Sequence, residues 1–128
     1  MLHRFKDIIA RFVSKNLEIV NQAFANEMIF AKHISMSVFW NLKFSNFNFS
    51  KVNFSGSYFT DCKFENCTFE KMVMRKSEFT DCTFKSCNFI NSRFSKVEFG
   101  NNFFTDCQFS LRLSRPNFIN QIQMNLLL

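Results

Sequence analysis

One residue type recurs at a fixed step of five through most of the chain. Phe stands at 39, 44, 49, 54, 59, 64 and 69 and again at 79, 84, 89, 94, 99, 104 and 109, with Met74 holding the same slot between the two runs. This period belongs to no flat element. Five steps around an α-helix rotate a side chain by roughly 140°, and five steps along a strand land on the opposite face, so either element would scatter the rings. Keeping every Phe in one core requires the chain to turn inward afresh every five residues. That describes a solenoid whose wall bends at each unit.

The residue two before each Phe reads Ser, Leu, Phe, Val, Ser, Cys, Cys, Met, Ser, Cys, Cys, Ser, Val, Asn, Cys from 37 to 107, and all five cysteines fall in that slot. Residues beside the Phe are largely polar or charged, among them Lys43, Asn48, Asn53, Lys63, Glu65, Glu70, Arg75, Glu78, Arg93 and Glu98. Two residues per unit, one large and one mostly small, therefore point inward. The other three form the surface.

Units such as NFSKVNFSGS, CKFENCTFE and CTFKSCNF resemble the pentapeptide-repeat family, whose unit has a central Leu or Phe with a small residue two before it. The resemblance covers 37–111. It implies an all-β solenoid, a right-handed quadrilateral β-helix of four units per coil, here just under four coils. The sequence supports four units by itself, because FTDCKFENC at 59–67 returns as FTDCTFKSC at 79–87, twenty residues on. FTDC at 104–107 departs from this, being displaced by twenty-five, and Met74 is expected to weaken one core layer.

Three segments are expected: 1–36 as an N-terminal helical cap, 37–111 as the β-helix, and 112–128 as a C-terminal cap or dimerisation segment. Raw solenoid ends need covers. Leu2, Phe5, Ile9, Phe12, Val13, Leu17, Val20 and Phe24 recur at steps of three and four, which predicts an amphipathic helix with Arg4, Lys6, Arg11 and Lys15 on its other sides. A membrane-lying helix over 1–24 is the alternative, which Asp7 and Glu18 dilute. The tail NFINQIQMNLLL carries no charged side chain, and is expected to cover the last coil or to pair with a second copy through 117–128.

Composition narrows the class. Only 2 Gly and 1 Pro argue against disorder, no run of eighteen apolar residues exists to cross a bilayer, and Arg11 and Lys15 interrupt the opening segment where a secretory signal would be apolar. An odd count of 5 Cys suits reduced thiols. The expected location is the cytoplasm of a bacterium, with delivery into a host cell as an effector the alternative. A twenty-residue coil stacks Cys67, Cys87 and Cys107 in one column and Cys62 with Cys82 in the next. A metal or redox ladder is the other reading of such columns, but their spacing is unlike the short loops that wrap zinc, so core thiols are expected. His3 and His33 lie ahead of the repeats, and no phosphate loop or Ser-His-Asp set appears. No enzyme activity, catalytic residue, cofactor or metal is expected.

The charges segregate by face. Asp61, Glu78, Asp81 and Glu98 share one face with no Lys or Arg, while Arg75, Lys76, Arg93 and Lys96 share the preceding face with no carboxylate. The other two faces are near neutral, and the chain carries +6 overall. Pairing across the shared corner is a sufficient structural reason for this pattern, and these eight residues are equally the expected partner-binding set. The expected function is a non-catalytic protein-binding or scaffold module. From the resemblance comes an alternative, a DNA-mimicking protein that binds and protects type II topoisomerases, against which the net positive charge counts. The partner expected is another protein rather than nucleic acid.

Overall fold

A computed structural model describes residues 4–11 and 13–113, and of 111–113 the backbone. A short helix, α1 (Phe5–Ile8), precedes strands that wind into about five coils. Every strand pairing is parallel, and throughout Val13–Ile90 each residue lies beside the one twenty positions later. Four five-residue units therefore make one coil, and four faces result.

Face 1 stacks β1 (Val13–Lys15), β3 (His33–Ser35), β5 (Asn53–Ser55), β9 (Val73–Arg75) and the second half of β12 (Asn88–Ser95). Face 2 stacks the start of β2 (Glu18–Phe30) and of β4 (Val38–Ser50), then β6 (Tyr58–Thr60), β10 (Glu78–Thr80) and β13 (Glu98–Gly100). Face 3 continues β2 and β4 into β7 (Lys63–Glu65), β11 (Thr83–Lys85) and β14 (Phe103–Thr105). Face 4 takes the ends of β2 and β4, then β8 (Thr68–Glu70), the first half of β12 and β15 (Gln108–Leu113).

The corners have one cause. At every fifth residue from Asn16 to Asp106, two after the inward slot, the backbone enters the left-handed region with φ between 50° and 62°. That region disfavours most L-residues, and Asn, Asp and Gly tolerate it best. Asn, Asp or Gly fills most of these corners; Ala31, Met36, Lys51, Lys71, Lys76, Ser86 and Lys96 hold the rest. The corner N–H groups then bond up the stack, as from Lys51 to the Glu70 carbonyl at 2.9 Å and from Asp61 to that of Thr80 at 3.0 Å.

Inside, the rings form columns. Phe39, Phe59, Phe79 and Phe99 stack at 4.6–5.2 Å between centroids beneath face 2, and Phe44, Phe64, Phe84 and Phe104 at 4.7–5.1 Å beneath face 3. Edge-on contacts such as Phe54 to Phe59 join neighbouring columns, the other arrangement that ring quadrupoles favour. All of the expected inward Phe are buried except Phe109, which is half-buried. Met74 is buried in its slot, and Met72, also buried, occupies what is elsewhere mostly a small position. The second thioether thus adds volume in the layer where a Phe is missing.

The N-terminal segment corrects the expectation over 1–36. A helix is present, but it is the four residues of α1 alone, and 13–36 are strands of the first two coils. Ser14, Ile19, Phe24, Ile29 and Ile34 continue the inward register, and all are buried. Three- and four-residue spacing competed with the five-residue step there, while Gln22, Glu27 and Lys32 in the small slot hid the repeat. Leu2 and Phe12 of the expected helix, and the segment 114–128, lie outside the described residues.

Glu27 and Lys32 build the socket of the cap. Buried Glu27 accepts hydrogen bonds from the backbone N–H groups of Phe5 and Lys6, each at 2.8 Å, and Lys32 Nζ donates to the Ala10 carbonyl at 2.9 Å. Phe5, wholly buried, plugs the coil with its ring 5.1–6.4 Å from those of Phe24, Phe39, Phe44, Phe47 and Phe49.

Candidate partner-binding faces

Each outward position on a face is a column of residues one coil apart, about 4.8 Å by the usual strand spacing. On face 1 the column after the inward slot contains Lys15 and Arg75, the column before it contains Arg93, and the corner toward face 2 carries Lys76 and Lys96. On face 2 the column before the inward slot reads Glu18, Val38, Tyr58, Glu78, Glu98, and its far corner carries Asp61 and Asp81. The eight charged residues expected from the sequence are thus brought to two adjacent faces in their expected sets. The coil gained at the N-terminal end adds Lys15 to the basic set and Glu18 to the acidic one.

Corner pairing does not account for them. Among the described residues none of Arg75, Lys76, Arg93 and Lys96 lies within 4.0 Å of a carboxylate, and the Lys–carboxylate pair formed is Lys43 with Glu65 at 3.5 Å, on face 3. Like charges stack instead. Glu78 sits beside Glu98 in register, and sharing a hydrogen bond with that carboxyl, together with slight burial and the like charge, holds Glu78 above the usual carboxylate range. At the corner between faces 4 and 1, Lys71, Asn91 and Arg93 line an open groove of about 380 Å³ over Met72 and Val73.

The same register also turns uncharged side chains outward. Val38, Trp40 and Tyr58 point outward from face 2, and Met36 stands at its corner with face 1, all exposed. Trp40 Nε1 donates to Asp61 Oδ2 at 3.3 Å. The slots on either side of Phe39 and Phe59 were the signal that could have found them.

The thiols are placed as columns. Cys62, Cys67, Cys82 and Cys87 are buried and free, each donating to a backbone carbonyl at 3.3–3.5 Å, as Cys82 does to Phe59. Cys107 is the half-exposed end of its column, which corrects the expectation that all five are enclosed. Hydrogen bonding to Cys107 and Cys67, with burial, pushes Cys87 up, while a hydrogen bond from Cys87 holds Cys107 at about 7. Among the described residues no group of His, Cys, Asp and Glu is arranged to hold a metal ion, and no helix is long and apolar enough to cross a membrane.

Square coils of five-residue units define a class, and the family description "Pentapeptide repeats (8 copies)" matches residues 37–70 of the chain, with the same geometry continuing on both sides of that match. Among solved structures, the chain is similar to a trypsin-treated variant of QnrB1, a plasmid-mediated fluoroquinolone resistance protein, with a TM-score of 0.52 at 17% identity over 73% of this chain and 54% of that one. It thus spans about half the length of the QnrB1 structure. A second similar structure is the pentapeptide-repeat protein Rfr23 from the cyanobacterium Cyanothece 51142, with a TM-score of 0.44 at 6% identity over 77% of this chain and 84% of that one. No match to the sequence was found among curated proteins.

Proposed function

We propose that the chain is a non-catalytic protein-binding module whose contact surface is the edge where face 1 meets face 2. The observation that carries this reading is the segregation of unpaired charge: Arg75, Lys76, Arg93 and Lys96 on one side, and Asp61, Glu78, Asp81 and Glu98 on the other. Like charges held one coil apart repel each other, a cost that interspersed signs would avoid, and a partner of opposite pattern removes it. A single face is also small. Five coils at about 4.8 Å give a strip near 24 Å long, too little for a stable interface, whereas a partner wrapping the corner engages two strips.

The test is reversal of charge. Arg75→Glu with Arg93→Glu should weaken the complex and slow its association at low salt while leaving thermal stability nearly unchanged. Lost stability with retained affinity would make the charges structural.

A second reading is favoured by the acidic column on face 2, namely binding to a type II topoisomerase in place of DNA. Only the acidic set should then matter. Gyrase supercoiling assayed with the protein, with Glu78→Gln and Glu98→Gln, and with the reversed basic set separates the two readings.

A further inference from the structure

The middle of face 2 carries exposed apolar area that folding does not explain. Its inward residues Phe39 and Phe59 already fill the core, yet outward from the same strands Trp40 is 44% and Tyr58 47% exposed, with Val38 beside Tyr58 and Met36, 64% exposed, at the corner. Trp and Tyr in such positions are the residue types most enriched where binding energy concentrates.

Carboxylates surround this apolar centre. Glu18 neighbours Val38 on one side, Glu78 neighbours Tyr58 on the other, and Asp61 accepts the indole N–H of Trp40, so that the ring is tethered to a carboxylate. The corner with face 1 supplies no cation here, while Lys43 and Lys63 stand past the opposite corner on face 3, Lys43 paired with Glu65. On the two coils of Trp40 and Tyr58, the corner with face 1 is Met36 and Gly56, and its lysines begin only at Lys76. The centre of face 2 is therefore apolar, aromatic and locally negative, although the chain as a whole carries +6.

We propose that this centre docks an arginine-bearing basic segment of the partner protein, one guanidinium lying against Trp40 and Tyr58 while it pairs with Asp61 or Glu78. The proposal rests on the protein-binding reading and names the partner's chemistry. Arginine fits better than lysine because its planar, weakly hydrated group stacks on an aromatic face and bonds a carboxylate through two N–H groups at once. A cation arriving beside Glu78 also relieves the like charge of Glu98.

Trp40 is the single tryptophan, so its emission reports on the site directly. The full chain is titrated at low ionic strength with two synthetic peptides of equal length and charge, one alternating glycine with arginine and the other glycine with lysine. The arginine peptide should change the emission saturably, with the lysine peptide about fivefold weaker or more. Tyr58→Ala, Tyr58→Leu and Asp61→Asn should each weaken the arginine peptide by about fivefold to tenfold, at a melting temperature near that of the parent. Arg75→Glu with Arg93→Glu should leave that affinity unchanged or tighter. Equal affinity for both peptides, indifference to Tyr58→Ala and Tyr58→Leu, or absence of saturation would each overturn the proposal. The two readings fail separately. A partner complex that is lost on reversing Arg75 and Arg93 but indifferent to Tyr58→Leu contradicts the docking site and leaves the binding edge standing. Arginine-selective peptide binding supports the site even if charge reversal on face 1 leaves the partner complex intact.

Discussion

At the scale of single residues, the left-handed corner decides more than any contact. A side chain with a Cβ costs about 1–2 kcal/mol in that region, less for Asn, whose short amide bonds locally. Asn26, Asn46 and Asn66 go further and form an amide ladder, Asn66 donating to Asn46 at 2.7 Å and Asn46 to Asn26 at 2.9 Å. Ala31 and Lys71 have no such help at φ 54° and 52°. Ala31→Asn and Lys71→Asn should therefore each stabilise the protein by about 0.5–1 kcal/mol, read from urea midpoints at unchanged slope. Among the thiols, Cys107 alone combines exposure with a pKa lowered to about 7. The thiolate is the reactive form, so native labelling should stop at one thiol and run about tenfold faster at pH 8 than at pH 6. Rapid labelling of three or more thiols would show that the columns are open.

At the scale of elements, the cap hangs on one carboxylate. Glu27 is 5% exposed and satisfies two backbone donors at the start of α1, so Glu27→Ala leaves buried N–H groups without partners. A loss of about 1–3 kcal/mol is expected, with amide exchange at Phe5 and Lys6 accelerating before that of the central coils. Unchanged exchange there would mean that Phe5 alone holds the cap. The repeat itself was legible, because Phe every five residues admits one kind of wall and the return of FTDC after twenty sets the coil. Its start at 37 was not the true start. Leu17, Val20 and Phe24 also fit a helical stripe, and Glu27 and Lys32 put charge in the slot that later units fill mostly with small residues, because they form the joint with the cap. Asn16, Asn21 and Asn26 at five-residue steps carried the missing information, since corners need residues that tolerate positive φ. The charged sets followed from register alone. Trp40 and Tyr58 were equally placed by register, but a count of charges has no term for an exposed ring.

At the scale of the molecule, a square prism offers four flat strips and four corners, and the sequence uses them unequally. Faces 1 and 2 carry opposite, unpaired charge, and face 2 alone sets Trp40 and Tyr58 outward. Exchanging signs across the edge, with Arg75→Glu and Arg93→Glu joined to Glu78→Lys and Glu98→Lys, keeps the net charge and the fold. Its expected result is a protein that melts near the parent temperature and no longer forms the parent's complex, checked by calorimetry and by association rates at two salt concentrations. Retained binding would shift the surface to faces 3 and 4.

The most direct test places a photo-reactive side chain at one position per face. Proteins carrying it at Tyr58 on face 2, at Arg93 on face 1 and at Asn88 on face 4, which looks away from face 2, are irradiated in the cells that produce the chain, and covalent adducts are compared. A shared adduct from positions 58 and 93 with none from 88 is what a binding edge between faces 1 and 2 predicts. An adduct from 88 alone would contradict it.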